Sequence, residues 1–155
     1  MDWIKLIVSI VACQAAGLIG GLFTARSVKT WYLTLNKPSF NPPGWIFGPV
    51  WTLLYLMMGV SLYLIWKQAG EQNIRFAVIV FILQLALNTL WSVLFFGMHN
   101  PALAFAEIIL LWIAILACII LFYPLSERAS YLLVPYLLWV SFASVLNYSI
   151  WQLNK

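Results

Sequence analysis

Five apolar runs, each long enough to cross a lipid bilayer, decide what this chain can fold into. They cover residues 4–24, 44–66, 76–96, 101–123 and 129–153. At about 1.5 Å of rise per residue, a helix of roughly 20–25 residues spans a hydrocarbon core of about 30 Å. No water reaches the backbone in that medium, so runs of this length read as helices whose hydrogen bonds close within the segment. Charge content points the same way. The chain is 65% hydrophobic and 8% charged, with eight Lys/Arg against four Asp/Glu, whereas soluble domains carry about 25% charge. So few ions cannot cover a water-facing surface, and the natural solvent is the lipid bilayer. One five-helix bundle uses the whole of 1–155, which predicts a single all-α, multi-pass integral membrane domain. The net charge of +4 sits in short loops and at the ends. It reads as topology and headgroup anchoring, with no nucleic-acid partner.

The edges of the runs carry the expected marks. Lys67, Gln68, Gly70, Glu71, Gln72, Asn73 and Arg75 form a polar break, and Pro124, Ser126, Glu127 and Arg128 form another. His99, Asn100 and Pro101 make a tight turn with the proline opening its helix. The first run resembles a signal peptide near Lys5, but it continues past Cys13 to Thr24, longer than a signal h-region. The one long connection, residues 25–43, is too polar to span and too aromatic for an idle linker. Pro38, Pro42 and Pro43 stiffen it, so it reads as a partly ordered cap over one end of the bundle. Lys and Arg divide evenly between the two ends, and the positive-inside rule does not decide orientation. The unopposed Arg26, Lys29 and Lys37 lean toward a cytoplasmic cap.

Aromatic content is the second unusual feature: nine Trp, seven Tyr and ten Phe. Interfacial belts absorb some of these rings, but others must lie at depth. Gln84, Asn88, Trp91 and Phe95 share one helical face, as do Trp139, Ala143, Asn147 and Trp151, and as do Trp51, Tyr55 and Met58. Amides beside tryptophans are wrong for lipid tails. Two readings fit: interhelical hydrogen bonds, or an aromatic pocket spotted with polar groups. Glu107, the one acid deep in a run, reads as a hydrogen-bonded neutral acid, as a head reaching the interface, or as a ligand or proton group. Small residues at Ala12, Ala16, Gly17, Gly20 and Gly21 permit close helix packing, within the bundle or between copies. His99 is the only histidine and the two cysteines, Cys13 and Cys118, are isolated in apolar runs. No metal site and no hydrolytic triad is expected from such a set.

The long loop then carries a resemblance. Trp31-Tyr32 and Leu35-Asn36-Lys37-Pro38-Ser39-Phe40-Asn41-Pro42-Pro43-Gly44 are followed by Pro49-Val50-Trp51-Thr52-Leu53-Leu54-Tyr55. Next come Gln84-Leu85-Ala86-Leu87-Asn88-Thr89-Leu90-Trp91-Ser92, Phe95-Phe96-Gly97 and Val134-Pro135-Tyr136-Leu137-Leu138-Trp139. This series resembles the tryptophan-rich sensory protein / translocator protein family, also called the peripheral benzodiazepine receptor family, over essentially the whole chain. The resemblance implies a five-helix bundle, often a homodimer, with a pocket under the first loop for porphyrins and benzodiazepine-type ligands. By position it assigns that pocket to Tyr32, Pro42, Trp51, Asn88, Trp91, Phe95, Trp139, Ala143 and Asn147. A bacterial cell membrane is the favoured residence.

Two departures limit the resemblance. Phe40 stands where many relatives have Trp, and the sterol-recognition pattern fails near the end of the fifth run, where six residues separate Tyr148 from Lys155. Three functions stay open: a porphyrin-binding sensor or regulator, a light- and oxygen-dependent porphyrin-degrading enzyme using Trp51 and Trp139, and a porphyrin or lipid carrier. In each, porphyrin or another flat apolar molecule is ligand or substrate and no further cofactor is expected. Stacking on the tryptophans, hydrogen bonds from Asn88 and Asn147, and Lys37 or Arg26 meeting the propionates would hold it.

Overall fold

The structure, a computed structural model, describes residues 2–155. It is all-helical among those residues, and five helical stretches are long and apolar enough to cross a membrane. The first is α1 (Trp3–Ser27), followed by the cap, then α2 (Phe47–Trp66), α3 (Arg75–Ser92) and α4 (Pro101–Phe122). The last span is made of α5 (Glu127–Leu132) and α6 (Val134–Leu153). Side chains at the helix starts satisfy the orphan backbone donors. Asp2 accepts from the Lys5 N–H at 3.2 Å, Asn100 from Leu103 at 3.0 Å and Ser126 from Ala129 at 3.3 Å.

Three boundaries differ from the sequence expectation, each for a local reason. α1 continues to Ser27 instead of ending at 24, because Ser27 Oγ donates to the Phe96 carbonyl and anchors an extra turn. The third span closes in a π-helical turn, Val93–Gly97, where the Met98 N–H reaches back to the Val93 carbonyl at 2.8 Å. The fifth span breaks at Leu133, since Pro135 has no N–H to continue the ladder. Leu133 instead bonds to the Ser130 carbonyl at 3.1 Å, and α6 restarts from there.

The spans close into a ring. α1 packs between α2 and α3, α3 against α4, α4 against α6, and α5 against α2. Away from the cap this ring is tight: Ser61 Oγ of α2 donates to the Ala129 carbonyl at 2.7 Å, and Phe81, Phe122, Ile65 and Ile115 are buried around it. Toward the cap, α2 parts from α6, and aromatic rings stand in the gap. The outer surface is apolar, with Ile4, Leu18, Leu22, Ile79, Leu83, Ile113 and Leu138 exposed. Such a surface belongs in lipid.

The cap is ordered and tied down. Asn36 and Asn154 exchange backbone-to-side-chain hydrogen bonds at 2.9 and 2.8 Å, which fastens the loop to the end of α6. Tyr32 donates to Asn41 Oδ1 at 3.1 Å, and Phe40 meets Phe142 edge-on. Burial pushes the Tyr32 phenol up from its ordinary range, with the Asn41 bond opposing. Tyr32 therefore stays a neutral donor.

The backbones of α1 and α2 approach closely where the two helices cross. A Cβ on Gly59 would sit 2.7 Å from the Ile10 Cα, so the clash is with backbone and no rotamer relieves it. Gly59→Ala is expected to lower stability by about 1–3 kcal/mol in unfolding titrations of the detergent-solubilised protein. Gly21→Ala, with nothing within 4 Å of the new methyl, should leave it unchanged or slightly raised.

Candidate ligand cavity

Where α2 parts from α6 the bundle encloses a cavity of about 800 Å³ beneath the cap. All five spans and the cap supply its wall. Trp51 and Tyr55 come from α2, Asn88 and Trp91 from α3, Phe95 from the π-helical turn, Trp139, Ala143 and Asn147 from α6, and Tyr32 forms the roof. Pro42 lies outside the lining, as do Gln84, Met58 and Trp151 from the three faces picked out by spacing. Trp151 instead packs against Phe105 and Tyr148 at 6.0 Å from each ring. Arg26 lines a different cavity, and Lys37 is the cation at the roof, 4.6 Å over the Tyr32 ring.

The rings are fixed by one another. Trp51 and Trp139 meet at 6.5 Å and 89°, Phe47 meets Trp139 at 6.1 Å, and Trp91 stacks on Phe95 at 5.0 Å. Edge-to-face and offset contacts of this kind each contribute about 0.5–1.5 kcal/mol beyond burial. The resulting wall is rigid and mostly apolar.

Its amides serve the bundle first. Asn88 accepts from the Tyr55 hydroxyl and donates to the Tyr136 hydroxyl at 2.7 Å, which donates onward to Gln84 Oε1 at 2.8 Å. Gln84 Nε2 ends the chain near the Met58 sulfur at 3.9 Å. Asn147 accepts from the Trp91 indole at 2.8 Å and donates to the Pro101 carbonyl at 2.8 Å, tying α3, α4 and α6 together. The two readings open at the sequence level therefore meet in the same residues: glue on one side, cavity wall on the other. The Trp139 indole N–H is buried with no partner among the described residues, and it does not open onto the cavity. Glu107 is also buried and unpartnered at both oxygens, but it is not part of the wall, although Ile108 and Leu111 beside it are.

Gly17, Leu18, Gly21 and Leu22 of α1 complete the cavity, and spacing alone did not place them there. Their small-residue pattern suggested helix packing, which holds for Gly17 against Tyr55 and Gly20 against Ser92. Gly21 faces open space. Phe47 was findable, since it stands one turn before Trp51 on the same face.

The sequence pattern of the TspO/MBR family matches residues 9–152. The chain belongs to this family. It is 49% identical to the tryptophan-rich protein TspO of Archaeoglobus fulgidus over 99% of both chains. It is 36% identical to the tryptophan-rich sensory protein of Cereibacter sphaeroides, covering 99% of this chain and 94% of that one. The human translocator protein is also 36% identical, over 98% of this chain and 91% of its own. Similarity along the full length, with five spans of the required apolarity, makes this TspO/MBR protein an integral multi-pass membrane protein.

The Asn88 chain is the test of how the wall is held. Asn88→Leu orphans the Tyr55 hydroxyl and removes the donor to the Tyr136 hydroxyl, and is expected to cost about 1–3 kcal/mol of stability. Tyr136→Phe added to it should cost less than Tyr136→Phe alone, a coupling readable by double-mutant unfolding in detergent.

Proposed function

We propose that this TspO/MBR protein is a membrane receptor that holds a porphyrin, or a benzodiazepine-type apolar molecule, in the cavity under the cap, and that it acts as a sensor in tetrapyrrole metabolism or stress response. The observation that carries this reading is the wall itself: Trp51, Trp91, Phe95 and Trp139 from three spans converge on one space of about 800 Å³. Ligand sites of about 300–1,000 Å³ with apolar walls and a few polar groups suit flat ligands of drug size and above. A macrocycle entering there stacks on rings that are already immobilised, so little side-chain entropy is lost on binding. Lys37, over the Tyr32 ring at the roof, is the cation nearest to meet a carboxylate. Asn88 and Asn147 contribute mainly by fixing Tyr55 and Trp91. Because Leu18 and Leu22 line the cavity and are also exposed on the outer face, the space reaches the lipid-facing flank of α1. A ligand dissolved in the bilayer has a route inward without crossing the cap.

A second reading rests on the perpendicular Trp51–Trp139 pair within that wall. Two indoles beside a photoexcited porphyrin are positioned to donate an electron or hydrogen atom to it, with dioxygen as the oxidant. The protein would then be a light-dependent porphyrin-degrading enzyme.

Titrating the purified, detergent-solubilised protein with protoporphyrin in the dark, followed by tryptophan quenching, tests the receptor. Saturable binding is expected, weakened at least about tenfold by Ala143→Phe, which fills the cavity from α6. Binding that survives Ala143→Phe unchanged places the ligand elsewhere and ends this reading. Illuminating the same samples decides the enzyme: the Trp51→Phe/Trp139→Phe double variant should keep binding within a few-fold and lose any distinct product spectrum.

A further inference from the structure

The cap end of the bundle is electrically one-sided. Arg26, Lys29, Lys37 and Lys155 lie there with His99, whereas Asp2, Glu71 and Glu127 lie at the opposite end and Glu107 is buried within α4. Among the described residues no acidic side chain pairs with any cap-side cation; the ion pair present is Lys5–Asp2, at the other end. Within that field a second cavity of about 420 Å³ opens between the last turn of α1 and the corner where the π-helical turn passes into α4. Its two halves differ in character. Arg26, Thr30 and His99 are exposed at the mouth, and half-buried Phe23, Val93 and Phe96 form the inner wall.

The hydrogen bonds fix the state of the mouth. Ser27 Oγ donates its single proton to the Phe96 carbonyl. His99 Nε2, 3.2 Å from the same oxygen, must then be the donor in that contact. This leaves His99 Nδ1 with no protein partner among the described residues. The ring is held in place by stacking on Trp31 at 4.5 Å and 8°. His99 also has a φ of 54°, the left-handed region that a residue with a side chain rarely adopts. Strain of this kind persists where the surroundings impose it, and it clusters at sites that bind or switch.

We propose that this cavity binds the phosphate of an anionic membrane phospholipid. The guanidinium of Arg26, free of any carboxylate, presents the planar fork that matches phosphate oxygens, and the His99 ring, stacked on Trp31, walls the mouth beside it. The apolar half takes the start of an acyl chain. Val93 lies in it, and one turn earlier the lipid-exposed Leu90 continues the same face of α3 into the hydrocarbon. A soluble phosphate offers the same charge but leaves Phe23 and Phe96 wet. The position, at the ends of two spans, is the level of the headgroups.

The test is native mass spectrometry of the full chain in detergent, titrated with phosphatidylglycerol. Arg26→Gln should weaken lipid binding about five- to tenfold, while Lys67→Gln, a cation at the opposite end, should not change it. His99→Gly, whose backbone accepts the positive φ but which loses the ring walling the mouth, should weaken binding less than Arg26→Gln. Equal losses in Arg26→Gln and Lys67→Gln would show only diffuse attraction of lipid to a basic protein and would overturn the site. Displacement of the lipid by millimolar glycerol phosphate or inorganic phosphate would make this a soluble-anion site and overturn the lipid assignment.

Discussion

Asn88 stands where three helices meet, and both ends of its amide are taken, by a tyrosine hydroxyl from α2 and another from α6. In water such a side chain would have many partners. In a bilayer it has only those the fold supplies, and an unpaired amide would be costly. The chain Tyr55–Asn88–Tyr136–Gln84 therefore ties α2, α3 and α6 to one register. Hydrophobic burial cannot do this between helices in lipid, because the tails are as apolar as leucine. Side-chain hydrogen bonds and close packing carry the specificity instead.

That register leaves one end of the bundle closed and the other open. Below Asn88, Ser61 reaches the Ala129 carbonyl, and Phe81 stacks near Phe122 at 6.0 Å. Above it, α2 and α6 hold apart because Trp51, Trp139 and Phe47 fill the space between them edge to face. Rings packed at that angle brace the helices without closing the cavity, and the cap roofs what remains.

The spans were legible in the sequence because their length and apolarity respond to one external constraint, the thickness of the membrane. The cavity faces were legible too, since Asn88–Trp91–Phe95 and Trp139–Ala143–Asn147 keep helical spacing all the way into the site. What an asparagine does there was not legible. Spacing places Asn147 on a face, but its partners are the indole of α3 and the first carbonyl of α4, both remote in sequence. For the same reason Gly21 read as a packing residue, whereas its neighbour across the gap is empty space. Pro42 matched a loop signature whose fold does not bring it to the cavity wall. The π-helical turn had no marker beyond the aromatic pair and Gly97, because it arises from how α3 must end against α1. A Cβ at Gly97 would strike the Phe23 ring at 2.8 Å.

That turn is also what brings consecutive rings into one cluster. In a regular helix Phe95 and Phe96 would point about 100° apart; in the wider turn both rings join the cluster with Tyr32 and Trp91, and the Phe96 carbonyl is turned out to receive Ser27. Phe96 thus belongs to the wall of both cavities, the aromatic one within the bundle and the cation-rimmed one outside it. The partition between them is one side chain thick. Its ring faces the apolar space, and its backbone holds Ser27, which in turn orients His99. The local widening that shapes the inner wall is therefore the same distortion that builds the mouth of the outer site. A π turn at this corner is needed by both.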